Sequence, residues 1–171
     1  MRKIDNYGRK MCSLQAKVFA QSKEEVSCSS RIFLRRFMYS YVAKRMDKDG
    51  FLFGSDSSSD ILIEIEDEFG TSDYGREKFD EEELYWIGYV YRYWAYTREI
   101  PSKQIYHIIK PEELRTFYLP YHSLDTEVVV ERILEAKGRT EEEEFHRAVE
   151  IMRQVRAKRA EKNCMGNTRR N

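Results

Sequence analysis

The stretch LYWIGYVYRYWAY, from Leu84 to Tyr96, decides the fold of this chain. It holds both tryptophans and five of the twelve tyrosines, and it lies between the acidic run 80–83 and the polar residues 97–99. Its length is about half to two thirds of the roughly 20 residues that a membrane-spanning helix needs. We therefore predict that it forms the central helix of a soluble core.

At about 100° per residue, such a helix has three faces. The first is predicted core, and its small residues let a neighbouring helix approach closely; it comprises Leu84, Ile87, Gly88, Tyr91, Trp94 and Ala95. The second is also mostly apolar and comprises Trp86, Val90, Tyr93 and Thr97. The third face, here called the tyrosine stripe, comprises Tyr85, Tyr89, Arg92 and Tyr96.

The tyrosine stripe has two interpretations. Tyrosine and arginine often anchor protein interfaces, and arginine stacks on aromatic rings, so the stripe is a candidate partner-binding surface. Alternatively, the N-terminal helices cover the stripe, with the tyrosine hydroxyls reaching water and Arg92 paired to an acidic residue. As further candidates for partner binding we add three residues that follow the helix, namely Lys103, Tyr106 and His122.

Outside this stretch, apolar residues recur at helical spacing almost everywhere, which predicts an all-α, single-domain, irregular bundle of about six to eight helices around the central aromatic helix. Capping residues, glycines and prolines set the boundaries. Helices are predicted over 6–21, 30–48, 61–69, 80–98, 102–109, 112–118, 126–137 and from Thr140 onward. A strand is the alternative for 61–65, because Ile61, Ile63 and Ile65 alternate with polar residues. We assign 1–137 to a helical core and 138–171 to an amphipathic helix with a basic, frayed tail.

Composition favours a soluble cytoplasmic protein. At 171 residues the chain buries a core large enough to need no metal or disulfide. Its cysteines, Cys12, Cys28 and Cys164, are odd in number and far apart, which suits a reducing compartment. No apolar signal core follows the basic start at Met1, so we expect no membrane anchor.

No catalytic or cofactor-binding signature is present, and we expect neither a metal nor a cofactor. The three histidines have no second histidine or cysteine at chelating spacing, and no glycine-rich phosphate loop occurs. His122, Ser123 and Asp125 are too close in sequence to form a catalytic relay. An unfamiliar enzyme site built from Arg92, Lys103, Tyr106 and His122 stays open, because sites assemble from distant residues.

Charge is unevenly distributed along a chain whose net charge is zero. Residues 1–50 carry twelve basic and five acidic side chains, residues 51–100 carry four and thirteen, and residues 151–171 carry seven and one. Basic ends could contact phosphates, so a nucleic-acid-binding regulator is the alternative function. Its candidate residues in the tail are Arg153, Arg156, Arg159 and Lys162.

Three motifs carry a resemblance to a known family: WIGYVYRYW at 86–94, SKQIY at 102–106 and YHSLD at 121–125. Together they resemble a family of small uncharacterised bacterial proteins encoded beside toxin–antitoxin-like gene pairs, some with an ADP-ribosyltransferase-like toxin. The resemblance covers about 80–137 and excludes the tail from Gly138. It implies a non-catalytic protein-binding module, an accessory or antitoxin-like component whose protein partner is a toxin encoded nearby. It implies no chemical role for any residue and no oligomeric state.

Overall fold

The computed structural model describes residues 2–48, 51 and 57–138. In these residues every regular element is a helix, which confirms the all-α class. The helices are α1 (Asn6–Glu25), α2 (Ser30–Tyr39), α3 (Tyr41–Met46), α4 (Ser58–Phe69), α5 (Glu81–Arg98), α6 (Ser102–Ile108), α7 (Pro111–Thr116), α8 (Tyr118–Tyr121) and α9 (Thr126–Ala136). None of the described helices combines the length and hydropathy that a membrane span requires.

The chain divides into two compact units, Met1–Val129 and Val130–Asn171. The first unit contains α1 to α8 and the start of α9, and it holds every site discussed below. Of the second unit, the structure describes 130–138, the rest of α9 and the turn after it. The predicted helix from Thr140 and the basic residues of the tail lie outside the described residues.

The core of the first unit forms where α1 packs along α5. Gly88 makes this contact possible: a Cβ atom there would lie 2.8 Å from the Ala16 Cα and 3.0 Å from the Gln15 carbonyl oxygen. The predicted close approach at Gly88 is therefore confirmed. The whole first face of α5 is buried, and the buried side of α1 includes Met11, Cys12, Ala16 and Phe19. Phe19 packs edge to face on Phe33 and Phe37 of α2.

The helix predicted between Ser30 and Lys48 is interrupted, which adds one helix to the predicted number. The backbone of buried Ser40 is extended, with ψ of 166°, and separates α2 from α3. Its hydroxyl donates to the Phe37 carbonyl at 2.7 Å and accepts from the Ala43 amide at 3.1 Å. One serine thus ends the first helix and caps the next, because its side chain competes with the helical backbone bonds. A second addition is α8, a separate turn that contains Pro120 where the sequence predicted an end.

Residues 58–69 are helical, so the strand alternative is wrong. Ser57 caps α4 by accepting from the Asp60 amide at 3.2 Å, and Asp60 accepts in return from the Ser57 amide at 3.0 Å. Ile61 and Ile65 are buried whereas Ile63 is 59% exposed, as a helical period requires and an alternating strand forbids. Gly70 ends the helix at a φ of +75°, which glycine adopts without strain.

Candidate functional site

The seven candidate partner-binding residues lie in three different places. Arg92 and Tyr96 are buried beneath the N-terminal part of the chain. Lys103 and Tyr106 lie beside a groove between α2 and α6. Tyr85, Tyr89 and His122 line a pocket between α5 and α8. The structure therefore does not keep the tyrosine stripe as one surface.

Arg92 is the centre of a buried polar network. It is 1% exposed, and its Nε donates to Gln15 Oε1, its Nη1 to Asp47 Oδ1 and its Nη2 to Ser102 Oγ, each at 2.8 Å. Burial lowers the pKa of Arg92 while Asp47 opposes the shift; the guanidinium nevertheless stays charged. Each of the three guanidinium nitrogens donates to a residue of this chain. For Arg92, this agrees with the interpretation in which the stripe is covered and the arginine is paired to an acidic residue.

Asp47 and Gln15 extend the network to neighbouring elements. The Asp47 carboxylate accepts from the Ser102 amide at 2.9 Å and from the Ser102 hydroxyl at 2.6 Å, so it also caps the start of α6. Gln15 donates to the Gly88 carbonyl at 3.2 Å. The network thereby joins α1, the end of α3, α5 and α6, which is a structural role for Arg92.

Tyr96 is covered by the start of the chain. Its hydroxyl donates to Asp5 Oδ1 at 2.8 Å, and the Arg2 guanidinium lies 4.2 Å from its ring centroid. The residue is 9% exposed. Tyr96 therefore belongs with Arg92 to the covered half of the stripe.

Lys103 and Tyr106 adjoin a basic groove of about 760 Å³, lined by Arg31, Arg35, Arg76 and Lys110 with Tyr39, Tyr74, Tyr106 and His107. Lys103 Nζ lies 4.9 Å from the centroid of Tyr39, and Lys110 Nζ lies 3.9 Å from that of Tyr106. The Tyr39 hydroxyl and His107 Nε2 are 2.8 Å apart.

The basic groove carries positive charge that its own carboxylates do not neutralise. Glu112 pairs with Arg31 at 2.5 Å, and Glu77 pairs outside the groove with Arg115 at 3.0 Å. Within the described residues, no carboxylate pairs with the remaining cations of the groove, Arg35, Arg76 and Lys110. Burial lowers the pKa of Lys110, and the neighbouring Arg35 guanidinium lowers it further.

The third place, here called the aromatic pocket, is a cavity of about 610 Å³. Successive turns of α5 supply one wall, since residues four apart lie on one side of a helix. The second wall comes from α8, and Ala20 of α1 contributes a small side chain. The lining residues are Ala20, Glu81, Glu82, Tyr85, Trp86, Tyr89, Tyr118 and His122.

Contacts between the two walls fix the positions of the rings. Trp86 and Tyr118 meet edge to face with centroids 5.7 Å apart, and the Tyr118 hydroxyl donates to Glu82 Oε2 at 3.3 Å. His122 lies 5.0 Å from Tyr118, and its Nδ1 donates to the carbonyl of Leu119 at 3.1 Å. Burial raises the pKa of Tyr89, and desolvation followed by the Glu82 carboxylate raises that of Tyr118. Both phenols are therefore neutral at physiological pH.

The aromatic pocket remains open to solvent. Tyr85 is 40% exposed, and Trp86, Tyr89 and Tyr118 are half-buried. Sequence reasoning found Tyr85, Tyr89 and His122 but placed Trp86 on a mostly covered face and missed Tyr118. One sequence signal could have indicated Tyr118: it lies four residues before His122, and residues four apart lie on the same side of a helix.

The enzyme hypothesis for Arg92, Lys103, Tyr106 and His122 loses its geometric basis, because these side chains lie in three separate places. His122 bonds to backbone carbonyls of its own turn and packs on Tyr118. In the described ranges, no three histidine, cysteine or acidic side chains stand close enough to hold a metal ion.

Comparisons with protein-family models, with curated proteins and with solved structures found no match to this chain.

Proposed function

We propose that this chain is a non-catalytic protein-binding module and that its partner inserts a side chain into the aromatic pocket. The observation that carries the proposal is the concentration of tyrosine and tryptophan on an open concave surface. These residues offer large apolar faces with polar tips and dominate the energetics of protein interfaces. Leu119, which follows Tyr118 in α8, adds an apolar side chain that is 80% exposed.

The resemblance to the bacterial family supports a more specific proposal for the partner. We propose that this chain is an accessory or antitoxin-like component of a toxin–antitoxin locus and that it binds a toxin encoded nearby. The unpaired spacing of the cysteines supports action in the reducing cytoplasm. Of the sequence-based candidates, Tyr85, Tyr89 and His122 keep a place in this proposal, whereas Arg92 and Tyr96 have structural duties.

Co-expression with the proteins encoded next to this chain tests the proposal. We expect a complex that survives purification, or relief of the neighbour's toxicity. Replacing both Tyr85 and Tyr89 by alanine removes two aromatic rings from the α5 wall of the pocket and should abolish the complex. The matched control is Tyr41→Ala, because Tyr41 is 64% exposed and lies outside the pocket. A complex that is absent, or that tolerates the double variant, would contradict the proposal.

The basic groove favours a second candidate function, a nucleic-acid-binding regulator. The groove combines three cations that have no carboxylate partner among the described residues with the exposed ring of Tyr74. Such a combination binds phosphates and stacks bases. The tail residues proposed for this function lie outside the described residues. A gel-shift assay with single-stranded RNA tests the groove: a shift should weaken steeply with salt and be lost in the variant Arg35→Ala with Lys110→Ala.

A parallel variant removes the same charge from α1, by Lys10→Ala with Lys17→Ala, both exposed residues outside the groove. It separates the contribution of the groove from that of the rest of the basic N-terminal segment. Truncation after Glu150 measures the contribution of the tail separately. The absence of a shift at low salt would exclude the second function.

A further inference from the structure

The aromatic pocket presents its rings to whatever enters it. The faces of tyrosine and tryptophan carry partial negative charge and attract cations that lie within about 6 Å of a ring centroid. This chain already uses such contacts, because Arg2 lies over Tyr96 and Lys110 over Tyr106, at 4.2 and 3.9 Å from the ring centroids. Among the described residues no lysine or arginine lines the aromatic pocket, although the charge of Arg9 reaches Tyr89.

Two carboxylates add negative charge at the mouth of the pocket. Glu81 and Glu82 line it from the first turn of α5. Their neighbours are already neutralised, because Asp80 pairs with Lys23 at 3.6 Å and Glu83 pairs with Arg115 at 2.8 Å. Within the described residues no lysine or arginine pairs with Glu81 or Glu82.

A helix start explains acidic residues in part, since the helix dipole favours them there. It does not explain why two carboxylates without a lysine or arginine partner among the described residues share a cavity with four aromatic rings. Rings that stabilise a cation on their faces and carboxylates that pair with it at the edge are complementary to one class of side chain. That class is arginine or lysine, with a long apolar stem and a charged head.

We propose that the aromatic pocket binds an arginine or lysine side chain from a basic segment of a partner protein. The proposal rests on the proposed function and specifies the partner's chemistry. The stem packs between Tyr85 and Tyr89, and the cationic head reaches the carboxylates of Glu81 and Glu82. Glu81 and Glu82 also attract the basic segment at a distance, which raises the rate of association at low salt.

The test titrates the full chain with N-acetyl-arginine amide and, as its neutral counterpart of similar shape, N-acetyl-citrulline amide. Binding is followed by NMR on the two indole N–H signals, which are assigned with Trp86→Phe. The signal of Trp86 should shift, while that of Trp94, 1% exposed, should stay in place. We expect a Kd on the order of 1–10 mM for the arginine probe and an affinity at least about fivefold weaker for citrulline.

Charge removal provides the matched variants. Glu81→Gln with Glu82→Gln should weaken arginine binding at least about threefold and leave citrulline binding unchanged. The difference in arginine affinity between this variant and the wild-type chain should grow as the salt concentration falls, because the carboxylates are then screened less. Glu66→Gln with Asp67→Asn removes the same charge from α4 and should change neither. The melting temperature of each variant, measured alongside, shows that the fold is intact.

Each contrary result has a separate meaning. Equal affinity for arginine and citrulline, or no shift of the Trp86 signal, overturns the cation proposal. If the cation proposal fails in this way but the complex with the neighbouring protein still depends on Tyr85 and Tyr89, the proposed function stands without a bound cation. If arginine binds but no protein partner does, the proposed function fails and the cation site stands. Tighter binding of tetramethylammonium than of arginine would replace the side chain by a small quaternary amine.

Discussion

Removal of the Arg92 guanidinium should destabilise the fold far more than removal of a surface cation. The substitution Arg92→Met keeps an unbranched side chain of similar length, so little of the effect comes from a cavity. It deletes three hydrogen bonds of 2.8 Å and leaves the Asp47 carboxylate, 16% exposed, with Ser102 as its remaining partner in the network. Loss of one member of a buried ion pair costs about 3–5 kcal/mol. Because Asp47 keeps some contact with water, we expect about 3 kcal/mol.

The assay is urea unfolding followed by circular dichroism, with the free energy of unfolding extrapolated to water. The control is Arg31→Met, which removes an arginine from a surface pair whose side chains are 69% and 38% exposed; its cost should be below about 1 kcal/mol. The double variant Arg92→Met with Asp47→Asn should be less destabilised than the sum of the two single variants, because the second change removes the charge that the first leaves unpaired. Equal costs for Arg92→Met and Arg31→Met would refute the reasoning.

Three further predictions concern the core. Gly88→Ala should cost about 1–3 kcal/mol by the same urea assay, since its Cβ would meet the backbone of Ala16, although alanine itself favours a helix by about 1 kcal/mol; unchanged stability would contradict the close approach. Burial is the main cause that raises the pKa of Tyr93 from 10.0 to about 12, so the folded state favours the neutral phenol. The stability that this preference contributes is complete below pH 10 and is lost as the pH rises towards 12. The part of the tyrosinate absorbance that disappears in Tyr93→Phe should rise as helicity is lost, and its rise at full helicity would be the contrary result. Burial also raises the pKa of the Cys12 thiol to about 12, so a thiol reagent should modify Cys12 only after unfolding, and rapid modification of the native protein would show that this residue is accessible.

Much of the fold follows from local patterns. The capping residue Asp80 and the glycine at position 70 indicate where α5 begins and where α4 ends, because these signals lie within a few residues of the boundary. The start of α4 at Ser58 lies before the predicted start at position 61. The break at Ser40 escaped prediction. Apolar spacing continues across it, and the competing hydrogen bonds of a serine side chain become visible only in three dimensions.

The sequence predicted which residues of α5 share a face, but not which of them are buried. A helical projection puts Tyr85, Tyr89 and Arg92 on one side of α5, and it contains no information about what lies above each residue. The partners of Arg92 are distant in sequence: Gln15 lies 77 positions before it, and Asp47 lies 45 positions before it. The same holds for Tyr118, whose contact with Trp86 depends on how the chain returns after α7.

The pairing of α1 with α5 also determines the order in which the chain can fold during synthesis. Gln15 and the Gly88 carbonyl that it contacts are 73 positions apart. At ribosomal rates of about 5–20 residues per second, α1 leaves the ribosome roughly 4–15 s before the matching part of α5. Throughout that interval the part of α1 around Gln15 and Ala16 has no α5 to cover it, although Phe19 already has its partners Phe33 and Phe37 in α2. The nascent chain is therefore most prone to aggregation before the aromatic helix emerges.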